Sequence, residues 1–62
     1  MRAVLFKAVN LEQHFHMNDK IYRKVEGVFK EGCCVPEYNA INIEDESDKV
    51  LVPFYITVEI DT

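Results

Sequence analysis

The chain has 62 residues, a net charge of −4 and 48 % apolar side chains. That length holds one domain, residues 1–62, and a chain this short buries only about 60 % of its unfolded surface, which leaves little room for a deep pocket inside one copy. The apolar content excludes a disordered acidic tail, and an acidic balance with pI near 4.9 excludes generic nucleic-acid affinity, which rests on neutralising phosphates.

The longest unbroken apolar run is residues 3–6, far short of the ~20 a bilayer span needs. No basic stretch leads into an apolar segment of about 7–15 residues, so no secretory signal is read and no membrane association is expected. Cys33 and Cys34 are adjacent, and a bridge between neighbours would strain the backbone while closing almost no loop. The expected setting is therefore reducing and cytoplasmic. With no disulfide to staple a thin core, a homo-oligomer is expected.

Val and Ile number 13 against 3 Leu and 3 Ala, with 7 aromatics besides. That bias favours strand over helix. In chain order, residues 2–9 read as a first strand. Residues 15–25 read as a hairpin turning at Asn18-Asp19, residue types that tolerate positive φ. Pairing Met17 with Lys20 sets Phe15 opposite Tyr22. Phe15, Met17, Tyr22 and the stem of Lys24 then share one face, and His14, His16, Ile21, Arg23 and Val25 the other. Residues 38–43 alternate again, with Ile41 and Ile43 on one side. Residues 44–48 read as a polar acidic turn, residues 50–54 as a strand and residues 55–60 as the last strand. In that last segment Ile56, Val58 and Ile60 alternate with Tyr55, Thr57 and Glu59. Pro53 cannot donate to a ladder and marks a strand end, an edge or a bulge. The pattern predicts a mainly β fold: a small curled antiparallel sheet or SH3-like open barrel of about five strands.

An alternative is α+β with one helix around residues 19–31. Ile21, Val25, Val28 and Phe29 fit helical spacing, Gly32 suits the end, and Glu26 stands four residues before Lys30. Gly27 opposes it, costing about 1 kcal/mol in a helix interior. Charge divides sharply along the chain: residues 1–30 carry 6 basic and 3 acidic side chains, residues 31–62 carry 1 and 8. Oppositely charged strands meeting, or copies meeting head to tail, would account for that division.

Little points to catalysis. Ser47, Thr57 and Thr62 are the hydroxyl inventory outside tyrosine, and no local Ser–His arrangement exists. Gly27 and Gly32 do not form a phosphate loop. Glu44, Asp45, Glu46 and Asp48 lack the glycine and distal Glu of a calcium loop. His14, His16, Cys33 and Cys34 are of zinc-ligand type, but adjacent cysteines on extended chain diverge and the spacing of structural zinc sites is missing. The expectation is a non-enzyme with no cofactor and no metal. Lys20, Arg23, Lys24 and Lys30 interleave with Tyr22 and Phe29, the raw material of a platform for a small anion or nucleotide. The candidate binding residues are Tyr22, Arg23, Lys24, Tyr38 and Asn39.

The run F-x-x-N-x-x-x-Y-x-K-V at residues 15–25, followed by N-A-I-N-I at residues 39–43, an acidic turn and a V-rich last strand, resembles a pattern in small phage proteins. Ser47 stands where that pattern often has glycine. The resemblance covers residues 15–60 and implies an SH3-like β-barrel of viral or mobile-element origin, acting in a host cytoplasm; it names no active site. Together these features lead to a small binding protein that attaches to, or inhibits, a host protein. The alternatives are an oligomer that sequesters a nucleotide or other anion, and a virion or assembly component.

Overall fold

The computed structural model describes residues 1–32 and 34–61. Six strands form one antiparallel sheet: β1 (Arg2–Leu5), β2 (His14–Met17), β3 (Lys20–Phe29), β4 (Pro36–Asn42), β5 (Asp45–Val50) and β6 (Thr57–Ile60). Their order is β1-β6-β2-β3-β4-β5, so β6 inserts between β1 and β2 and the sheet stays open at β1 and β5. This is the curled sheet expected from composition, with six strands rather than five. Among the described residues there is no α-helix, and no helix is long and apolar enough to cross a membrane.

The helical alternative for residues 19–31 gives way to β3. Asn18 and Asp19 take φ of 54° and 62°, the left-handed pair that a two-residue hairpin turn requires. The register sets Met17 opposite Lys20 and Phe15 opposite Tyr22. Phe15 and Tyr22 are buried on the concave face, their rings stacked at 5.9 Å. Cross-strand packing of this kind outweighs the middling helix propensity of Ile, Tyr and Val.

Three other boundaries differ from the sequence reading. The first strand stops at Leu5, and Phe6–Ala8 coil into a 3-10 turn that drives the Phe6 ring into the core. The acidic segment is mostly strand: the turn is tightened at residues 43–44, where Asn42 Oδ1 accepts the Glu44 N–H at 2.9 Å. Asp45–Val50 then forms an edge strand on which Asp45, Glu46 and Lys49 are exposed while Asp48 turns toward Tyr22 and Asn42; exposed charge is a common guard against edge pairing. Residues 51–56 lie between β5 and β6 rather than forming a strand over 50–54. They carry the chain from one end of the sheet to its other half. On β4 the inward residues are Ala40 and Asn42, both buried. Ile41 and Ile43 share a face as expected, but it is the outer one.

The core is Phe6, Val9, Phe15, Tyr22, Ala40, Val52, Val58 and Ile60. Phe6 meets Phe15 edge to face at 5.2 Å and lies parallel to Phe54 at 6.4 Å. Two main-chain bonds, Phe6 N–H to Ile56 O at 2.9 Å and Lys7 N–H to Phe54 O at 3.1 Å, tie the crossover to the 3-10 turn. A third tie is made by a side chain. Asn39 Nδ2 donates to Val52 O at 2.9 Å, and Val52 N–H donates to Asn39 Oδ1 at 2.8 Å.

Both bonds are buried, so losing them strands a main-chain donor and acceptor away from water. Asn39→Ala should lower the unfolding free energy by about 2–4 kcal/mol in urea titrations. Wild-type stability in that variant would show that the crossover is held elsewhere.

Candidate binding surface

The five residues singled out from sequence do not converge on one ligand. Tyr22 is buried and its OH donates to Asp48 Oδ2 at 3.2 Å. Asn42 Nδ2 donates to the same oxygen at 3.2 Å, and Lys20 Nζ lies 3.8 Å from it. Burial, then the neighbouring Asp48 charge and hydrogen bond, push the Tyr22 phenol above its ordinary range. Lys24 also points inward. Its ammonium donates to Phe6 O at 3.1 Å and Val9 O at 2.6 Å and sits 4.6 Å over the Phe6 ring centroid. Burial holds its pKa below the usual lysine value. Arg23 is turned to the outer face, with Nε 3.4 Å from Glu12 Oε2. Tyr38 lies beneath Lys49, whose Nζ is 5.2 Å from the ring centroid. Asn39 is spent on the crossover.

Strand alternation explains this partition. Neighbours on an extended chain face opposite ways, so Arg23 and Lys24 cannot clamp one small anion from the same strand. Lys24 and Asn39 do border a common groove; Arg23 lies with His14, Ile41 and Glu46 in a separate shallow hollow.

That common groove holds about 680 Å³. Val9, Leu11, Val25, Phe29, Pro36 and Phe54 give it apolar walls. Around Pro36 and Phe54 it runs on into a second hollow of about 320 Å³, formed with Val35, Leu51 and Pro53. Leu11, Phe29, Val35 and Phe54 are each more than half exposed, at 57 %, 58 %, 59 % and 61 %. This continuous exposed apolar surface is the kind of feature found at interaction sites of proteins. Sequence reasoning missed it because residues 50–54 read as a strand whose apolar side chains would be covered. Pro53 was the available signal, since a proline bars the segment from a central strand and leaves its neighbours to the surface.

The zinc-type residues are not gathered. His16 Nε2 faces Asp61 Oδ2 at 3.3 Å, Cys34 is exposed, and Cys33 lies outside the described residues. Among the described residues no three His, Cys, Asp or Glu side chains are grouped to hold a metal ion. In the acidic segment Asp45 Oδ1 accepts the Ser47 hydroxyl at 2.6 Å and the Ser47 N–H at 3.1 Å, which lowers its pKa. Asp45 is thereby occupied in an Asx turn. No family model, curated protein or solved structure matches the chain.

The two shifted groups on the concave face act with opposite sign at alkaline pH. A phenol with its pKa raised in the folded state contributes stability below the unfolded value near pH 10, and that contribution is lost as pH rises through the folded value. Lys24, with a lowered pKa, is penalised while charged and regains stability over the same climb. The stability difference between wild type and Tyr22→Phe should therefore shrink above about pH 10 in thermal melts. A difference that stays constant to higher pH would contradict the upward shift that burial and Asp48 give the Tyr22 phenol.

Proposed function

We propose that the protein is a non-enzymatic binding module whose occupant is an apolar segment of another protein, seated around Phe54. The observation that carries this reading is the exposed apolar surface of Phe54, Leu51 and Val35 beside half-buried Pro36, held on a backbone fixed by Asn39 and by the ladder to Phe6 and Lys7. A rigid aromatic presented from a fixed backbone is what an interface anchor requires, because little conformational freedom is lost on binding. The groove is open rather than enclosed, which suits a chain segment better than a small molecule. Lys24 is engaged by two carbonyls, and Arg23 lies on the opposite face with Nε 3.4 Å from Glu12 Oε2, so the two do not hold one anion together. Sequestration of a nucleotide has correspondingly less support. The resemblance to small phage proteins makes a host protein the first partner class to test.

Pull-downs from host lysate followed by titration with the purified partner test the reading. Leu51→Glu and Phe54→Ser should each weaken binding at least about thirtyfold, the effect of removing an interface hot spot. Arg23→Ala should leave it nearly unchanged. Binding that survives both apolar substitutions and fails in Arg23→Ala would favour the anionic-ligand reading instead.

A further inference from the structure

β3 outruns the strand beside it. β2 pairs with residues 20–23, and the chain just before β2 adds two main-chain bonds at Lys24, through Gln13 O and Glu12 N–H. Past that point residues 25–29 have no strand on that flank among the described residues. A strand flank without a neighbour offers N–H and C=O groups to any chain that can lie along it. β5, the acidic edge, is guarded by charge. The β3 flank is not: Val28 and Phe29 are 40 % and 58 % exposed, with Glu26 and Lys30 on either side of them.

We propose that residues 26–30 pair antiparallel with the same residues of a second copy, about a two-fold axis at Val28. The segment Glu26-Gly27-Val28-Phe29-Lys30 is self-complementary in that arrangement. Glu26 stands opposite Lys30 of the partner subunit, and Lys30 opposite the partner's Glu26. Val28 meets its own copy. Phe29 stands opposite the partner's Gly27, whose Cβ side is already covered within its own chain by Pro36 and Phe29, so this pair adds little to the match. β3 carries register irregularities against β4 between Lys24 and Val28 and between Val28 and Phe29, so the match rests on the order of charges along the segment rather than on strict alternation. Neighbouring axes do worse. An axis at Gly27 sets Lys24 against Lys30, and one at Phe29 sets Glu26 against Gly32. Pairing about Val28 matches both charges, and cross-strand opposite charges are favourable where like charges are not. An isologous interface of this type closes at two copies and gives no filament. It uses none of Leu51, Val35 or Phe54; Glu26, Gly27 and Phe29 also border the groove, and charge reversal at Glu26 and Lys30 reads self-association separately from partner binding.

Sedimentation equilibrium from micromolar to millimolar concentration should report a reversible dimer. Glu26→Lys and Lys30→Glu, both at exposed positions, should each keep the wild-type circular dichroism spectrum. Each should weaken self-association at least about tenfold, since both attractive pairs become repulsive. An equimolar mixture of the two variants should form a heterodimer with affinity near that of wild type, and the E26K/K30E double variant should regain the homodimer. A wild type that stays monomeric throughout overturns the proposal. So does a dimer that either single variant leaves unchanged, or a failure of the two variants to associate with each other.

Discussion

One side-chain amide holds the fold's two halves in register. The sheet order places β5 at one edge and β6 near the other, so the connecting chain must cross without a strand to lie against. Asn39 supplies the donor and acceptor that a strand would have supplied, bonding both the N–H and the C=O of Val52. Buried main-chain groups demand partners, and here a residue of β4 provides them from thirteen positions away in the chain. With Val52 fixed, residues 53–56 reach the 3-10 turn at Phe6–Ala8, and β6 enters its slot between β1 and β2. The core, the groove and the exposed ring of Phe54 all depend on that placement.

The polar groups of the concave side serve the same end. Lys24 satisfies two carbonyls at the 3-10 turn, where the chain bends too tightly to pair with a strand. Asp48 gathers the Tyr22 hydroxyl and the Asn42 amide near the far edge. These are short-range solutions to local surpluses of donors or acceptors. They leave the surface with few free charges where it is most apolar. The basic and acidic halves of the sequence do meet, through Lys20 and Asp48, but the rest of the acidic excess is spread over Glu31, Glu37, Glu44, Asp45, Glu46, Glu59 and Asp61, of which only Asp45 and Glu46 lie on β5.

Elements with clean alternation were legible from the sequence. The hairpin around Asn18-Asp19 and the last strand with Val58 and Ile60 inward follow from period-two patterning and turn chemistry alone. β5 was not legible, because Asp, Glu and Ser avoid strands on average and are accepted here only at a solvated edge. The crossover was not legible either: its apolar residues look like a strand until the sheet order leaves them no neighbour. The placement of the candidate binding residues was not legible for a related reason. Tyr22, Lys24 and Asn39 have the chemistry of ligand contacts, and nothing local reveals that their partners are main-chain and carboxylate groups far along the chain. Exposure of Phe54 is likewise a property of topology rather than of composition.

From Phe54 a row of rings runs inward through Phe6 and Phe15 to Tyr22, each within 6.4 Å of the next. The exposed ring proposed as the anchor for a partner and the buried core thus form one continuous set of side chains. A substitution that repacks Phe6 or Phe15 would tilt the ring at the surface without touching it. Under the proposed function, partner preference is open to drift from the inside, and mutations tolerated for the sake of the core become the raw material for new specificities.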